Sequence, residues 1–488
     1  WRRYLTGQAA YDATINIAKG RTHVLLQSPL VGVTSALPAP LAKSAGETLP
    51  LQLEIAADDR VKVRLGRIVA AEAVRRRQGE ALVVQRAAVA LTPGDGPLTL
   101  PERPGTLVYG SLPALDLDKW LPLFAGPEAP DASAFDVRIG RLDLYGRRLN
   151  NIALRAGSDA AGWAATLSSQ ELAGDLSYRK DGGGRLVARL TRFRTPEEYP
   201  GAPPRSTLQP ADLPTMDLIA ERFIWRDKDL GRVEIQGRRA AEDWRIEKVT
   251  MASPDATFSA TGSWRSGAPT RSYLDFELKA ADAGQFLARV GYPDLVKGGK
   301  AELRGSLGWN GNPGGIDYDS LSGAVRLEAA NGQFLEMDPG FGKLISLMSL
   351  QSLPRRIALD FRDVFSKGFG FDEISSSGQV EAGVMTVKDF RMRGSSAQVE
   401  MRGQIDLAQE TQNMRVRVIP SLGDSASTVI ALVNPLLAIP AAIAQKILKD
   451  PLGHIFAFDY AVSGGWSDPK VAKLGVEARQ VGPQDASP

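Results

Sequence analysis

The feature that most constrains this chain is a two-residue alternation of apolar and polar side chains. Met414, Val416 and Val418 alternate with Arg415 and Arg417, and Leu274, Phe276 and Leu278 with Asp275 and Glu277. Phe456, Phe458, Tyr460 and Val462 repeat the pattern near the C-terminus. A β-strand turns successive side chains to opposite faces, so this period marks strands with one face covered and one face in water. Residues 51–55, 61–65, 139–144 and 398–407 read the same way. Turn-forming residues separate the runs, as in Gly94-Asp95-Gly96 and Asn310-Gly311-Asn312-Pro313. The expected fold is mainly β, an elongated, curved antiparallel sheet with a groove, few helices and a repeated build.

At 488 residues the chain is too long for one hydrophobic core. A repeat meets that constraint, and two fixed offsets point to one. An offset of 81 residues lays Leu142 on Phe223, Leu144 on Trp225, Leu149 on Leu230, Ile152 on Val233, Leu154 on Ile235 and Trp163 on Trp244. An offset of 141 lays Trp244 on Met385, Ile246 on Val387, Val249 on Phe390, Ala256 on Ala397 and Gly262 on Gly403.

Helical signals are few. Residues 283–290 carry a helical spacing stopped by Gly291-Tyr292-Pro293, 342–353 carry another that ends at Pro354, and 116–124 allow a short turn of helix. Residues 426–444 contain no charge and approach the length of a bilayer span, but Pro435 and Pro440 interrupt them. The expectation there is an apolar helical hairpin or kinked helix. It either plugs the β structure or meets a membrane or acyl chain, and the contacts would be Val429, Ile430, Leu432, Val433, Leu436, Leu437, Ile439 and Ile443. The expected segments are 1–125 and 126–270 (both β), 271–423 (β with short helices), 424–452 (apolar helical) and 453–488 (closing strands and a polar tail).

The chemistry of an enzyme is not legible. There is no cysteine, which removes disulfides and thiolate sites, and there are two histidines, His23 and His454. Asp116 and Asp118 read as a strand end or a capped helix start, and Asp58-Asp59 as a turn. Asp317 and Asp319 open a calcium-loop spacing that fails at Leu321. Gly368-Phe369-Gly370 lacks the strand–helix context of a phosphate loop, and Gly298-Gly299-Lys300 is not followed by Ser or Thr. The formal charge is +3, and short basic runs such as 75–77 read as solvated faces. We therefore expect no catalytic residues, no metal, no cofactor and no nucleic-acid partner.

Several motifs carry a family resemblance. They are Gln285-Phe286-Leu287-Ala288-Arg289-Val290-Gly291-Tyr292-Pro293, Gly305-Ser306-Leu307-Gly308-Trp309 and Asn331-Gly332-Gln333-Phe334-Leu335. Asp338-Pro339-Gly340, Ser349-Leu350-Gln351-Ser352-Leu353-Pro354-Arg355-Arg356 and Leu359-Asp360-Phe361-Arg362 complete them. Together they resemble the C-terminal, AsmA-like region of the YhdP-type family of bacterial envelope proteins. Residues 28–41 resemble an earlier β region of that family, and 446–452 with Gly464-Gly465-Trp466 resemble its end.

The resemblance implies a long β groove in the periplasm of a Gram-negative bacterium, bridging inner and outer membranes. It also implies a longer intact protein anchored in the inner membrane. The chain starts at Trp1, in line with a fragment or processed product. Phospholipids and the two membranes are the implied partners, with further envelope proteins beside them. The expected acyl-chain contacts are Leu142, Leu144, Phe223, Trp225, Val233, Ile235, Leu274, Phe276, Leu278, Val325, Leu327, Met414, Val416 and Val418. An apolar sheet face without a second layer must be covered, and acyl chains cover it at about 0.8 kcal/mol per methylene. Some 30 strands at about 4.8 Å would make a rod on the order of 140 Å long. The rival reading is an envelope scaffold in which two sheets bury the same faces against each other and carry no lipid. On the groove reading, Phe276→Glu and Val416→Glu both block function without unfolding the chain.

Overall fold

The computed structural model describes residues 2–18, 21–56, 58–78, 81–124, 133–199, 209–335, 368–420 and 457–474. These fall into two compact units. The first holds residues up to 208 with 212–227 and 232–234, and the second holds 209–211, 228–231 and residues from 235 on.

The first unit contains β1 (Leu5–Gly7), β2 (Asp12–Ala18), β3 (Arg21–Ser28), β4 (Val33–Ser35), β5 (Leu51–Ile55), β6 (Arg60–Leu65), β7 (Val69–Gln78), β8 (Ala81–Leu91) and β9 (Gly105–Asp116). The helix α1 (Leu117–Phe124) follows, then β10 (Ala134–Leu144), β11 (Arg147–Asp159), β12 (Gly162–Ser168), β13 (Leu172–Arg179), β14 (Arg185–Arg194), β15 (Glu197–Glu198) and β16 (Thr215–Trp225). β1 and β4 form a separate two-stranded sheet. The run β2-β3-β5-β6-β7-β8 is antiparallel. β9 then lies parallel to both β8 and β10. β10 to β14 are antiparallel again, and β16 lies parallel to β14. A parallel pair cannot be closed by a tight hairpin, which is why longer connections occur at those points.

One connection contains α1. Asp116 Oδ1 accepts the Lys119 N–H at 3.3 Å, so the first acidic residue of the Asp116/Asp118 pair begins the helix. The Asp118 carboxylate accepts from the Tyr145 N–H at 2.5 Å, the Gly146 N–H at 2.8 Å and the Tyr199 hydroxyl at 2.9 Å. Desolvation, with the Asp118 contact adding to it, pushes the Tyr199 phenol up to about 12. Trp120 is buried and donates its indole N–H to the Ala39 carbonyl at 2.9 Å. The local core is Val137, Ile139, Leu142, Leu149 and Ile152.

The second unit contains most of β17 (Lys228–Ala240), then β18 (Asp243–Ala252), β19 (Ala256–Arg265), β20 (Arg271–Ala280), the helix α2 (Ala283–Val290), β21 (Val296–Asn310) and β22 (Ser322–Phe334). β23 (Phe369–Glu381), β24 (Val384–Arg393), β25 (Ala397–Asp406), β26 (Thr411–Pro420), β27 (Phe458–Gly465) and β28 (Asp468–Leu474) complete it. From β18 to β28 each strand pairs antiparallel with the next. Among the described residues this single layer does not close on itself.

The alternation reads through to burial. On β26, Gln412, Met414, Val416 and Val418 are buried, while Thr411, Asn413, Arg415 and Arg417 are exposed. The helix expected at 283–290 forms over those residues. Asp282 accepts the Gln285 N–H at 3.0 Å, and Gly291 ends the helix at φ 106°, a left-handed conformation that favours glycine. The expected helix at 342–353, the apolar segment 424–452 with its membrane-contact residues, His454 and the tail from 475 lie outside the described residues.

Both sequence offsets coincide with strand bounds. The 81-residue offset carries β10 onto β16 and β11 onto β17. The 141-residue offset carries β17 onto β23, β18 onto β24 and β19 onto β25. It also carries the β-bulge between Ile246 and Val249 onto the one between Val387 and Phe390.

The solvated face is tied by cross-strand ion pairs, including Arg417–Asp459 at 3.0 Å in the second unit and Arg189–Asp217 at 2.8 Å in the first. Lys279 and Arg304 both reach Glu277 at 2.7 Å, and they hold its carboxyl down at about 2. Because this folded value lies below the ordinary 4.5, the contribution of Glu277 is complete above pH 4.5 and is lost as pH falls toward about 2. Glu277→Gln should therefore flatten the stability profile in that window, as read by urea unfolding at stepped pH. Asp282→Ala should cost about 1 kcal/mol in the same assay through loss of the helix cap.

Candidate functional site

The site is built from cross-strand register. In β19 to β22 one set of rows is apolar. Phe258 faces Leu278, Leu278 faces Leu303, and Leu303 faces Leu327. The next row is Ala260, Phe276, Gly305 and Val325, and Leu274 faces Leu307 in the row after it. Residues directly opposite in a ladder share a face, so these rows form one continuous apolar surface. Phe258, Phe276, Leu278, Leu303, Leu307, Val325 and Leu327 are all only partly buried.

Small residues shape the surface. The Phe258 and Phe276 rings stack with centroids 6.2 Å apart. Gly305 makes room for Phe276, since a Cβ at this position would lie 2.9 Å from two of its ring atoms and 2.8 Å from the Ala324 carbonyl oxygen. One end of the rows meets α2, where Ala256, Ala280 and Ala283 pack with Leu278, Phe286 and Ala301. Gly284 brings that helix down onto β21, because a Cβ there would sit 2.4 Å from the Val296 carbonyl oxygen. Arg289 anchors α2 through the buried Asp255 carboxylate at 2.5 Å, and Asp255 holds that guanidinium charged.

The sequence-derived contacts divide into groups. Leu274, Phe276, Leu278, Val325 and Leu327 come together in the partly buried rows, where Leu274 and Val325 also pack against the buried cluster of the second unit. Met414, Val416 and Val418 are also neighbours, but they are 1–3% exposed and belong to a dry cluster with Val399, Met401, Tyr460 and Val462. Leu142 is buried in the first unit's core and Leu144 is partly buried. Phe223 is partly buried against Phe193, with ring centroids 5.3 Å apart. Trp225 is 46% exposed, with the Arg226 guanidinium 5.0 Å from its ring centroid. Val233 is buried and Ile235 is partly buried. Phe258, Leu303 and Leu307 were not singled out from sequence, although they obey the same two-residue period.

The residues considered for chemistry are otherwise engaged. His23 Nε2 lies 3.1 Å from Glu54 Oε1, and Asp317 accepts from the Ser320 hydroxyl. Among the described residues no three His, Asp or Glu side chains converge to hold a metal ion, and no helix is long and apolar enough to cross a membrane.

These features define a mainly β protein, a mostly antiparallel layer with one charged face and one apolar face. Within that class the chain belongs to the YhdP family, whose model, described as "YhdP protein", matches residues 1–471. It is 24% identical over 500 aligned positions to the intermembrane phospholipid transporter YhdP of Escherichia coli strain K12, an alignment covering 96% of this chain and 39% of that protein. The chain thus spans well under half the length of that relative. No solved structure matches it.

Gly305→Ala should displace the Phe276 ring and cost about 1–3 kcal/mol in chemical denaturation, the range for overpacking. Gly46→Ala, at a position with open space around it, should change stability by less than about 0.5 kcal/mol.

Proposed function

We propose that this chain is part of a bridge-like lipid transport protein that shields phospholipid acyl chains along an apolar β groove. The reading is carried by one observation, the continuous, only partly buried apolar rows from Phe258 to Leu327 across β19–β22. The part of a contiguous apolar surface that remains exposed calls for a covering partner. Acyl chains suit it because they need no directional contacts, while a headgroup stays in water at the edge. Family membership and the activity of the Escherichia coli relative, intermembrane phospholipid transport, support the same choice.

On this reading the intact protein is an elongated, curved sheet that crosses the periplasm. It is held in the inner membrane by a further segment, delivers phospholipid between the two membranes and supports the outer-membrane barrier. Leu274, Phe276, Leu278, Val325 and Leu327 touch lipid directly. The more buried Met414, Val416 and Val418 hold the wall in shape within the second unit, and Leu142 and Val233 do so within the first. The uncharged stretch 426–444, with Val429, Ile430, Leu432, Val433, Leu436, Leu437, Ile439 and Ile443, supplies contact with a membrane, a role argued from its composition alone.

The test is lipid extraction of the purified chain followed by mass spectrometry. Phospholipid should co-purify, and Phe276→Glu with Leu278→Glu should reduce it several-fold while far-ultraviolet circular dichroism stays unchanged. Val416→Glu should instead unfold the chain, because a charge placed at a site 1% exposed has no partner. This departs from the expectation drawn from alternation, under which both substitutions spare the fold. Lipid at background level in the unaltered chain would leave the scaffold reading standing.

A further inference from the structure

We propose that the polar face of β18–β22 carries a binding site for a phosphoryl group. A trough of about 1230 Å³ opens there, lined by Arg245, Arg265, Arg271 and Tyr273 among others. That volume exceeds the roughly 300–1,000 Å³ of ordinary small-molecule sites. On β20, Arg271, Tyr273 and Asp275 alternate with Ser272, Leu274 and Phe276, so the arginine site and the apolar rows lie on opposite faces of the strand. The inference is therefore independent of acyl-chain carriage.

The trough combines opposed arginines with guanidinium groups that lack acidic partners. At many other places on the polar face bases meet acids: Arg417 pairs with Asp459, Arg393 with Glu373, and Arg304 with Glu277. In the trough, Arg265 lies directly opposite Arg271 across β19–β20. Like charges in that position repel. Nearby carboxylates already have donors. Asp243 accepts from the Ser266 N–H at 2.8 Å and its hydroxyl at 3.0 Å, Glu247 from Arg238 at 2.5 Å, and Asp275 from the Ser306 hydroxyl.

Arg245 and Arg271 make no ion pair and no side-chain hydrogen bond among the described residues. Arg265 reaches only the Ser263 hydroxyl, at 3.4 Å, and its guanidinium rests 4.5 Å from the Tyr273 ring centroid. Arg245 faces Ser263, which faces Tyr273 in turn, so the third guanidinium stands beside the opposed pair. Three guanidinium groups with unused donors around a concavity match the oxygens of a phosphate mono- or diester, which they bind in paired hydrogen bonds. Bound phosphate would also relieve the Arg265–Arg271 repulsion.

Arg402 and Arg415 oppose one another in the same way on β25–β26 and do not line the trough, which makes them an internal control. The experiment compares the unaltered chain, Arg265→Ser with Arg271→Ser, and Arg402→Ser with Arg415→Ser. Each is titrated calorimetrically with inorganic phosphate at fixed ionic strength, and each is floated with phosphatidylcholine vesicles with or without phosphatidylglycerol. The trough pair should weaken binding at least tenfold, and the control pair should leave it within about twofold. Binding of free phosphate without binding to vesicles assigns the site to a soluble phosphorylated compound. Vesicle binding that requires phosphatidylglycerol and is displaced by phosphate assigns it to a lipid headgroup. Both outcomes uphold the site. Equal weakening by both pairs, or no binding by the unaltered chain in either assay, overturns the proposal.

Discussion

Everything in this protein depends on cross-strand register. Each strand commits one face to apolar side chains and the other to charge, and its neighbour must commit the same faces at the same height. A slip of one residue would reverse every side chain on a strand. The ladder from β18 to β28 holds one antiparallel order throughout, interrupted by bulges. The bulges near Ile246 and Val387 each insert a local shift, after which the pairing resumes with Val249 and Phe390. Their recurrence at one offset indicates that the shift belongs to a repeated unit.

The same apolar face has two fates in the second unit. Over β23 to β27, Met392, Val399, Val416, Tyr460 and Val462 exclude water almost completely. Over β19 to β22, small residues such as Ala260 and Gly305 alternate with large ones, and Phe276, Leu303 and Leu327 remain partly open. The first region provides rigidity through close packing. The second presents a surface that an apolar ligand can cover, and the transport reading belongs there. The charged face has two modes as well, since matched acids and bases knit most of it while the arginine trough leaves positive charge unspent.

Much of this was written in the local sequence. The period of two located β5, β20, β25 and β26 because strand geometry imposes that period on any residue type. The helix Ala283–Val290 was legible because Asp282 and Gly291 are chemically specific caps. Some turns were not legible. Tyr145-Gly146 and Ala382-Gly383 place both residues at positive φ, as a tight hairpin turn requires, without the usual Asn or Asp in the first position. The parallel pairings at β8–β9, β9–β10 and β14–β16 were equally hidden, because a crossover leaves no periodic mark.

By itself, then, the sequence determined that the chain is made of half-apolar strands, where many of them lie and which side chains share a face. Those properties follow from backbone geometry acting over a few residues. Only the tertiary structure decided which apolar residues stay open. Val416 and Phe276 sit in indistinguishable alternating runs, yet one is fully buried and the other is not. The residues opposite them across the ladder differ: Met401 and Tyr460 beside Val416, which lies within the large buried cluster, and Ala260 and Gly305 beside Phe276. Those neighbours are remote in sequence, so the volume around a side chain cannot be read from its own strand.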